Sequence, residues 1–156
     1  MKLLKTSAIT LTFILALIPA QTNAQIMFQR HYGGAGDDGG NAVIQTSDGG
    51  YLVAGLTDSW GAGSKDIYLI KTNEYGDTTW TNHYGGYNWD DAVAVIEGTD
   101  NNYYLTGGLS SFGNGATDVF LMKVNSDGDS LWLKTYGGIE DDDGSDLLQC
   151  NDGGFM

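Results

Sequence analysis

The amino-acid sequence predicts an all-β fold made of tandem four-stranded antiparallel units, and three observations carry that expectation. Of the 156 residues, 24 are Gly and 1 is Pro, while 41% are hydrophobic and 12% aromatic. Such a chain can bury a core, and its glycines lack the Gly-X-Y period of collagen, so they point to many tight turns. Secondly, the sequence repeats itself. Residues His31 to Asn82 align without a gap on His83 to Lys134, a period of 52 with 21 identities, which excludes chance; a third copy from Thr135 to Met156 matches the first at 10 of 22 positions. Thirdly, residues 25–156 hold no 3.6-residue apolar period long enough for a helix. Four short strands in a unit of about 50 residues is the size of a β-propeller blade, and two units plus a fraction make an incomplete propeller.

Four elements are expected in each unit. Strand a is Phe28 to Tyr32, with copies at Trp80 to Tyr84 and Trp132 to Tyr136, where large aromatics four apart share one face. Strand b is Ala42 to Thr46, copied at Ala92 to Glu97. Strand c is Tyr51 to Leu56, copied at Tyr103 to Gly107, and its nearly continuous apolar character implies burial on both faces. Strand d is Ile67 to Lys71, copied at Val119 to Val124. Asp48-Gly49-Gly50 reads as the b–c hairpin turn, and Gly76-Asp77 with Asp127-Gly128-Asp129 as the d–a turn. In a meander a-b-c-d the tight turns fall at one end of the sheet and the longer, more varied loops at the other.

The domain reading that follows is a signal peptide at 1–24, a first repeat with its leading strand at 25–82, a second repeat at 83–134 and a truncated third at 135–156. Lys2 and Lys5 precede an apolar run from Ile9 to Ile18, then Pro19 and the small-residue stretch Thr22-Asn23-Ala24, the pattern of a secretory signal peptide cleaved before Gln25. The apolar run is about ten residues, half of what a membrane span takes. The chain is therefore expected to be secreted or displayed at a cell surface, with no membrane span after cleavage. Cys150 is the only cysteine, so no intramolecular disulfide staples the fold. Phe155-Met156 falls mid-strand, so the sequence is expected to be a fragment of a longer protein.

Charge narrows the partners. The formal net charge is -13, from 20 acidic and 7 basic residues. A nucleic-acid surface needs clustered Lys and Arg, so nucleic acid is excluded as a partner. Glycans, surface proteins and further repeats of the full-length chain remain as partners.

The frame Trp…Tyr-Gly-Gly…Asp…Asp-Gly-Gly-Tyr…Gly…Asp…Lys…Gly-Asp…Trp resembles the propeller-like repeats of roughly 50 residues found in large exported bacterial proteins, many of them similar to type IX secretion substrates of the Bacteroidetes kind. The resemblance covers essentially all of residues 25–156. It implies a secreted or surface-displayed multi-repeat protein and supplies no catalytic residue.

No catalytic residue is expected from the sequence either. His31 and His83 are register equivalents that become Thr135, as suits a half-exposed strand position rather than a general base. No nucleophile elbow, metal-spaced His pair or Cys-His arrangement occurs. Gly34-Ala35-Gly36-Asp37-Asp38-Gly39 matches a dinucleotide-binding string, but two carboxylates would repel a pyrophosphate and no helix follows. Asn125, Asp127 and Asp129 have the spacing of the first calcium-loop ligands, yet Ser130 stands where the sharp-turn Gly belongs, so a plain turn is expected. No metal site is assigned; calcium at the acidic run Glu140 to Asp143 is the only cofactor left open, against a solvated charge run.

The long-loop end is where binding is expected. There Trp60, Tyr87, Trp89 and Phe112 lie beside carboxylates, a combination that suits sugar rings, whose apolar faces stack while their hydroxyls donate to acids. Asp38, Asp66, Asp90, Asp118 and Asp142 hold fixed register and are expected to accept backbone N–H groups of their own loops. Three functional classes follow: a non-enzymatic scaffold or binding module, a carbohydrate-binding or catalytic propeller of a polysaccharide-degrading enzyme, and a calcium-dependent adhesin, whose melting temperature would rise with calcium and fall with chelator. Two carboxylates from different repeats facing each other across a cleft would favour the second.

Overall fold

A computed structural model describes residues 28–156, so the expected signal peptide lies outside the described residues. Eight strands follow one another: β1 (Asp38–Gln45), β2 (Tyr51–Thr57), β3 (Asp66–Thr72), β4 (Thr78–Tyr84), β5 (Asp90–Glu97), β6 (Tyr103–Leu109), β7 (Asp118–Val124) and β8 (Ser130–Tyr136). They form two antiparallel four-stranded sheets, β1-β2-β3-β4 and β5-β6-β7-β8. The described residues contain no helix, and the fold is all-β.

The 52-residue register is reproduced down to its irregularities. A bulge lies between Gly40 and Ala42 in β1 and between Ala92 and Ala94 in β5. A second shift lies at Lys71/Thr72 and again at Lys123/Val124. The b–c turn needs a left-handed residue, supplied by Gly49 (φ 85°) in the first copy and by Asn101 (φ 58°) in the second. At both b–c turns a lysine of the third strand reaches the turn carboxylate, Lys71 to Asp48 and Lys123 to Asp100, each at 2.8 Å.

Two expectations need correction. The strand expected at Phe28 to Tyr32 is not a strand. No described strand lies beside it to complete a ladder, and β4 and β8, its register equivalents, owe their regularity to β3 and β7. Strand order also differs from a-b-c-d, because each a strand closes the sheet before it. The d–a link, residues 73–77, is a tight turn that returns the chain beside β3, with the Asn73 N–H donating to the Asp77 carbonyl at 2.9 Å. The a–b link, residues 85–89, carries the chain into the next sheet. The sheets therefore run from 38 to 84 and from 90 to 136, out of phase with repeat boundaries at 83 and 135.

The core lies between the sheets. Leu52, Ala54, Ile67 and Leu69 of the first sheet meet Val95, Tyr103, Leu105, Met122 and Val124 of the second. Each such buried aliphatic contributes roughly 1.5–3 kcal/mol of burial. Trp80 and Tyr84, on one face of β4 as their spacing predicts, pack against this core. Their polar ends reach the far turn of the second sheet: Trp80 Nε1 donates to the Ser126 carbonyl at 2.9 Å, and Tyr84 Oη to the Gly128 carbonyl at 2.5 Å. Burial pushes the Tyr84 phenol up to about 12, so it stays a donor well into the alkaline range. One repeat earlier, Tyr32 Oη donates to the Gly76 carbonyl at 2.7 Å. Residues 28–32 thus dock on the first sheet as β4 docks on the second. On the other side, Leu147 and Phe155 cover Ala94, Tyr104 and Trp132 of the second sheet, with the Tyr104 and Phe155 rings 4.3 Å apart. There the third copy forms only an isolated bridge, Gln149 to Phe155.

Candidate functional site

The two ends of the sheets are built differently. At the tight-turn end each d–a turn is closed by its own Asn side chain. Asn125 Oδ1 accepts the N–H groups of Asp127 and Asp129 at 3.0 and 2.8 Å, as Asn73 Oδ1 accepts those of Tyr75 and Asp77. The calcium-like spacing of 125–129 is accordingly a plain hairpin turn.

The long-loop end is organised by the five in-register acids, each accepting the N–H of the residue four before it. Gly34 donates to Asp38, Ala62 to Asp66, Gly86 to Asp90, Asn114 to Asp118 and Gly138 to Asp142, all between 2.6 and 2.9 Å. Asp90 also accepts from the N–H groups of Ser110 and Ser111, and Asp38 from the hydroxyls of Thr57 and Ser59. The backbone must approach these carboxylates closely. At Gly61 (φ 113°) a Cβ would lie 1.8 Å from Asp66 Oδ2, and at Gly113 (φ 122°) 2.0 Å from Asp118 Oδ2. Burial, reinforced by the charge of Asp90, raises the Asp66 carboxyl above its ordinary value. Asp38 is pushed up by burial too, but donation from Thr57, Gly34 and Ser59 outweighs that and holds it below the ordinary value. These acids order loops, as their register predicts.

The four aromatic candidates all lie at this end and are exposed, but they are not gathered into one site. Trp60 leans on Tyr68 with ring centroids 5.3 Å apart and touches the Gly34 turn. Phe112, its register equivalent, stands beside Gly86 and Ser111 in the next loop. Tyr87 projects freely, while its carbonyl accepts the Ser64 N–H at 3.2 Å. Trp89 is different: the Lys65 ammonium sits 4.9 Å from its ring centroid, and the indole borders a groove of about 520 Å³.

That groove runs between the second sheet and the segment that follows β8. Trp89, Asp91, Ser110, Thr117, Asp143 and Ser145 line it, with Gly108 at its floor. Asp143 Oδ1 and Asp91 Oδ1 lie 2.6 and 3.4 Å from the point where a Cβ on Gly108 would project. Two carboxylates from successive repeats therefore face one space. Burial raises the Asp91 carboxyl, and the negative charge of Asp143 raises it further, partly offset by the Trp89 side chain. Sequence reasoning singled out Trp89 here but missed Gly108, Thr117 and Ser145. The readable signal was the exchange of Leu56 for Gly108 between otherwise matching copies. Among the described residues, no group of three or more His, Cys, Asp or Glu is placed to hold a metal ion, and no helix is long and apolar enough to cross a membrane.

No family model matches the chain. Over 158 aligned residues it is 23% identical to the regulatory protein FlaEY of Caulobacter vibrioides, an alignment covering 85% of this chain. The chain spans about 17% of that protein's length.

Proposed function

We propose that this chain is a non-enzymatic binding module of an exported or surface-displayed repeat protein, its sheets acting as propeller-type blades and its long-loop end as the recognition surface. The observation that carries this reading is the asymmetry between the two ends. The tight-turn end closes its turns with short hydrogen bonds and bonds to the neighbouring sheet, whereas the long-loop end presents Trp60, Tyr87, Trp89 and Phe112 to solvent, with Trp89 at the edge of an open groove. Exposed aromatics beside acceptors are the chemistry of saccharide recognition. The signal-peptide pattern at 1–24 and the resemblance to exported bacterial repeats support placement outside the cell. A recognition module also fits within a longer polypeptide such as the regulatory protein to which the chain is similar.

One observation favours a second reading, a part in polysaccharide cleavage: Asp91 and Asp143 come from successive repeats and face one groove, and a raised carboxyl beside a second acid is the pairing that glycoside hydrolysis uses. The deciding experiment is a glycan-array screen of the purified chain with and without calcium, paired with an assay for reducing ends on every glycan that binds. Binding without turnover, lost on Trp60→Ala or Trp89→Ala, supports the binding module. Turnover abolished by Asp91→Asn would replace it with the enzymatic reading, and absence of any glycan binding would remove saccharide recognition from this surface.

A further inference from the structure

The two junctions at the long-loop end differ at a few register-equivalent positions, and those differences define a ligand. At the first junction Leu56 lies over Gly39, its Cδ1 3.6 Å from where a Cβ on that glycine would be, and Lys65 extends to Trp89, its ammonium 4.9 Å from the ring centroid. At the second junction the equivalents are Gly108 and Thr117, so the plug is gone and that register position carries no cation, while Lys65 itself stays on the Trp89 ring, outside the groove lining. What stands in their place is a groove with an indole on one side and two carboxylates on the other, and no Lys or Arg lines it. We propose that the groove between β5–β7 and residues 143–145 binds an amine-bearing saccharide, its sugar face against Trp89 and its ammonium between Asp91 and Asp143. This deepens the binding-module reading and rests on it.

The chemistry runs as follows. Two carboxylates held around one point in a partly dry groove repel each other, and a bound ammonium relieves that repulsion while donating charge-assisted hydrogen bonds to both. A neutral sugar offers hydroxyl donors but no charge, so it leaves the repulsion in place. An isolated amine would satisfy the acids but waste the indole and the remaining acceptor capacity of the Ser110 and Thr117 hydroxyls, which are hydrogen-bonded to each other at 3.0 Å on the groove wall. An amino sugar carries all three features: an apolar ring face, hydroxyls and an ammonium.

Calorimetric titration with glucosamine oligomers, their N-acetylated counterparts and the matching glucose oligomers tests this directly. Glucosamine oligomers are expected to bind about tenfold or more tighter than either neutral series, an advantage that shrinks as salt rises. Asp143→Asn should lower their affinity about tenfold. Gly108→Leu, which restores the side chain found at position 56, should abolish binding, with denaturation midpoints confirming that both variants fold. Asp127→Asn, an equal change of charge in a distant turn, should bind as the unmodified chain does. Equal affinity for amine and neutral series, an unchanged Gly108→Leu variant, or equal losses in the Asp127 and Asp143 variants would each overturn the proposal. Neutral glycans that bind and are lost with Trp60→Ala but not Gly108→Leu would leave the binding-module reading standing without this site. No glycan binding at all would remove saccharide recognition together with it.

Discussion

The first and second sheets share one sequence frame and one strand order, yet the same residue types meet different surroundings. Val43 of β1 is 63% exposed, while its equivalent Val95 of β5 is 4% exposed. The second sheet lies between the first sheet and the residues after β8, whereas among the described residues only 28–32 are docked on the outer face of the first sheet. A groove of about 180 Å³ runs along that face, lined by Val53, Tyr68 and Ile70 among others. The difference teaches that hydrogen bonding within a repeat makes the sheet, while burial belongs to the neighbours a repeat is given.

Seven substitutions sharpen or break that comparison. The largest effects should be the same in both sheets, because they arise inside one sheet. A Cβ at Gly55 would lie 1.9 Å from the Gly39 carbonyl oxygen, and one at Gly107 would lie 2.1 Å from that of Asp91. Gly55→Ala and Gly107→Ala should each cost about 3 kcal/mol or more in urea unfolding. A large inequality between them would show that the two sheets do not share one backbone.

Neighbour-dependent effects should differ instead. Val95→Ala removes methyls from the core between the sheets and should cost about 2 kcal/mol, whereas Val43→Ala should fall within about 0.5 kcal/mol. Equal losses would mean that the outer face of the first sheet is covered in solution. Tyr84→Phe deletes one of the hydrogen bonds that tie β4 to the far turn of the second sheet, and should cost about 1 kcal/mol by the same measurement.

The smallest effect concerns the repeated ion pair. Lys71, then Thr46 and the Gly50 N–H, donate to Asp48 and hold its carboxyl low, at about 2, below the roughly 3.9 of an unfolded chain. A depressed carboxyl stabilises the fold above the unfolded value and loses that contribution as pH falls toward the folded one. Asp48 is largely exposed, so the amount should stay under about 1 kcal/mol. The stability gap between the unmodified chain and Asp48→Asn should be constant from pH 7 to 5 and close between about pH 4 and 2. Lys123 holds Asp100 lower still, so the gap for Asp100→Asn should persist to lower pH.

Much of the site's scaffold was legible in the sequence, and its pattern explains why. The register of Asp38, Asp66, Asp90, Asp118 and Asp142 announced their loop-ordering role because each bonds to a backbone group four residues away. The groove was not legible, because Asp91 and Asp143 lie a full repeat apart and meet only through packing. Nor did the spacing of Trp60, Tyr87, Trp89 and Phe112 say that only Trp89 would border it.

By itself the sequence determined the strands β1 to β8, the Gly and Asn turns and the 52-residue repeat, since alternation, positive φ and short hydrogen bonds are decided within a few residues. Tertiary structure alone decided that each a strand closes the sheet before it, that residues 28–32 are docked without becoming a strand, and that Gly108 opens a groove where Leu56 closes one. Those outcomes depend on which surface lies opposite, and a residue's neighbours across a junction are about fifty positions away along the chain.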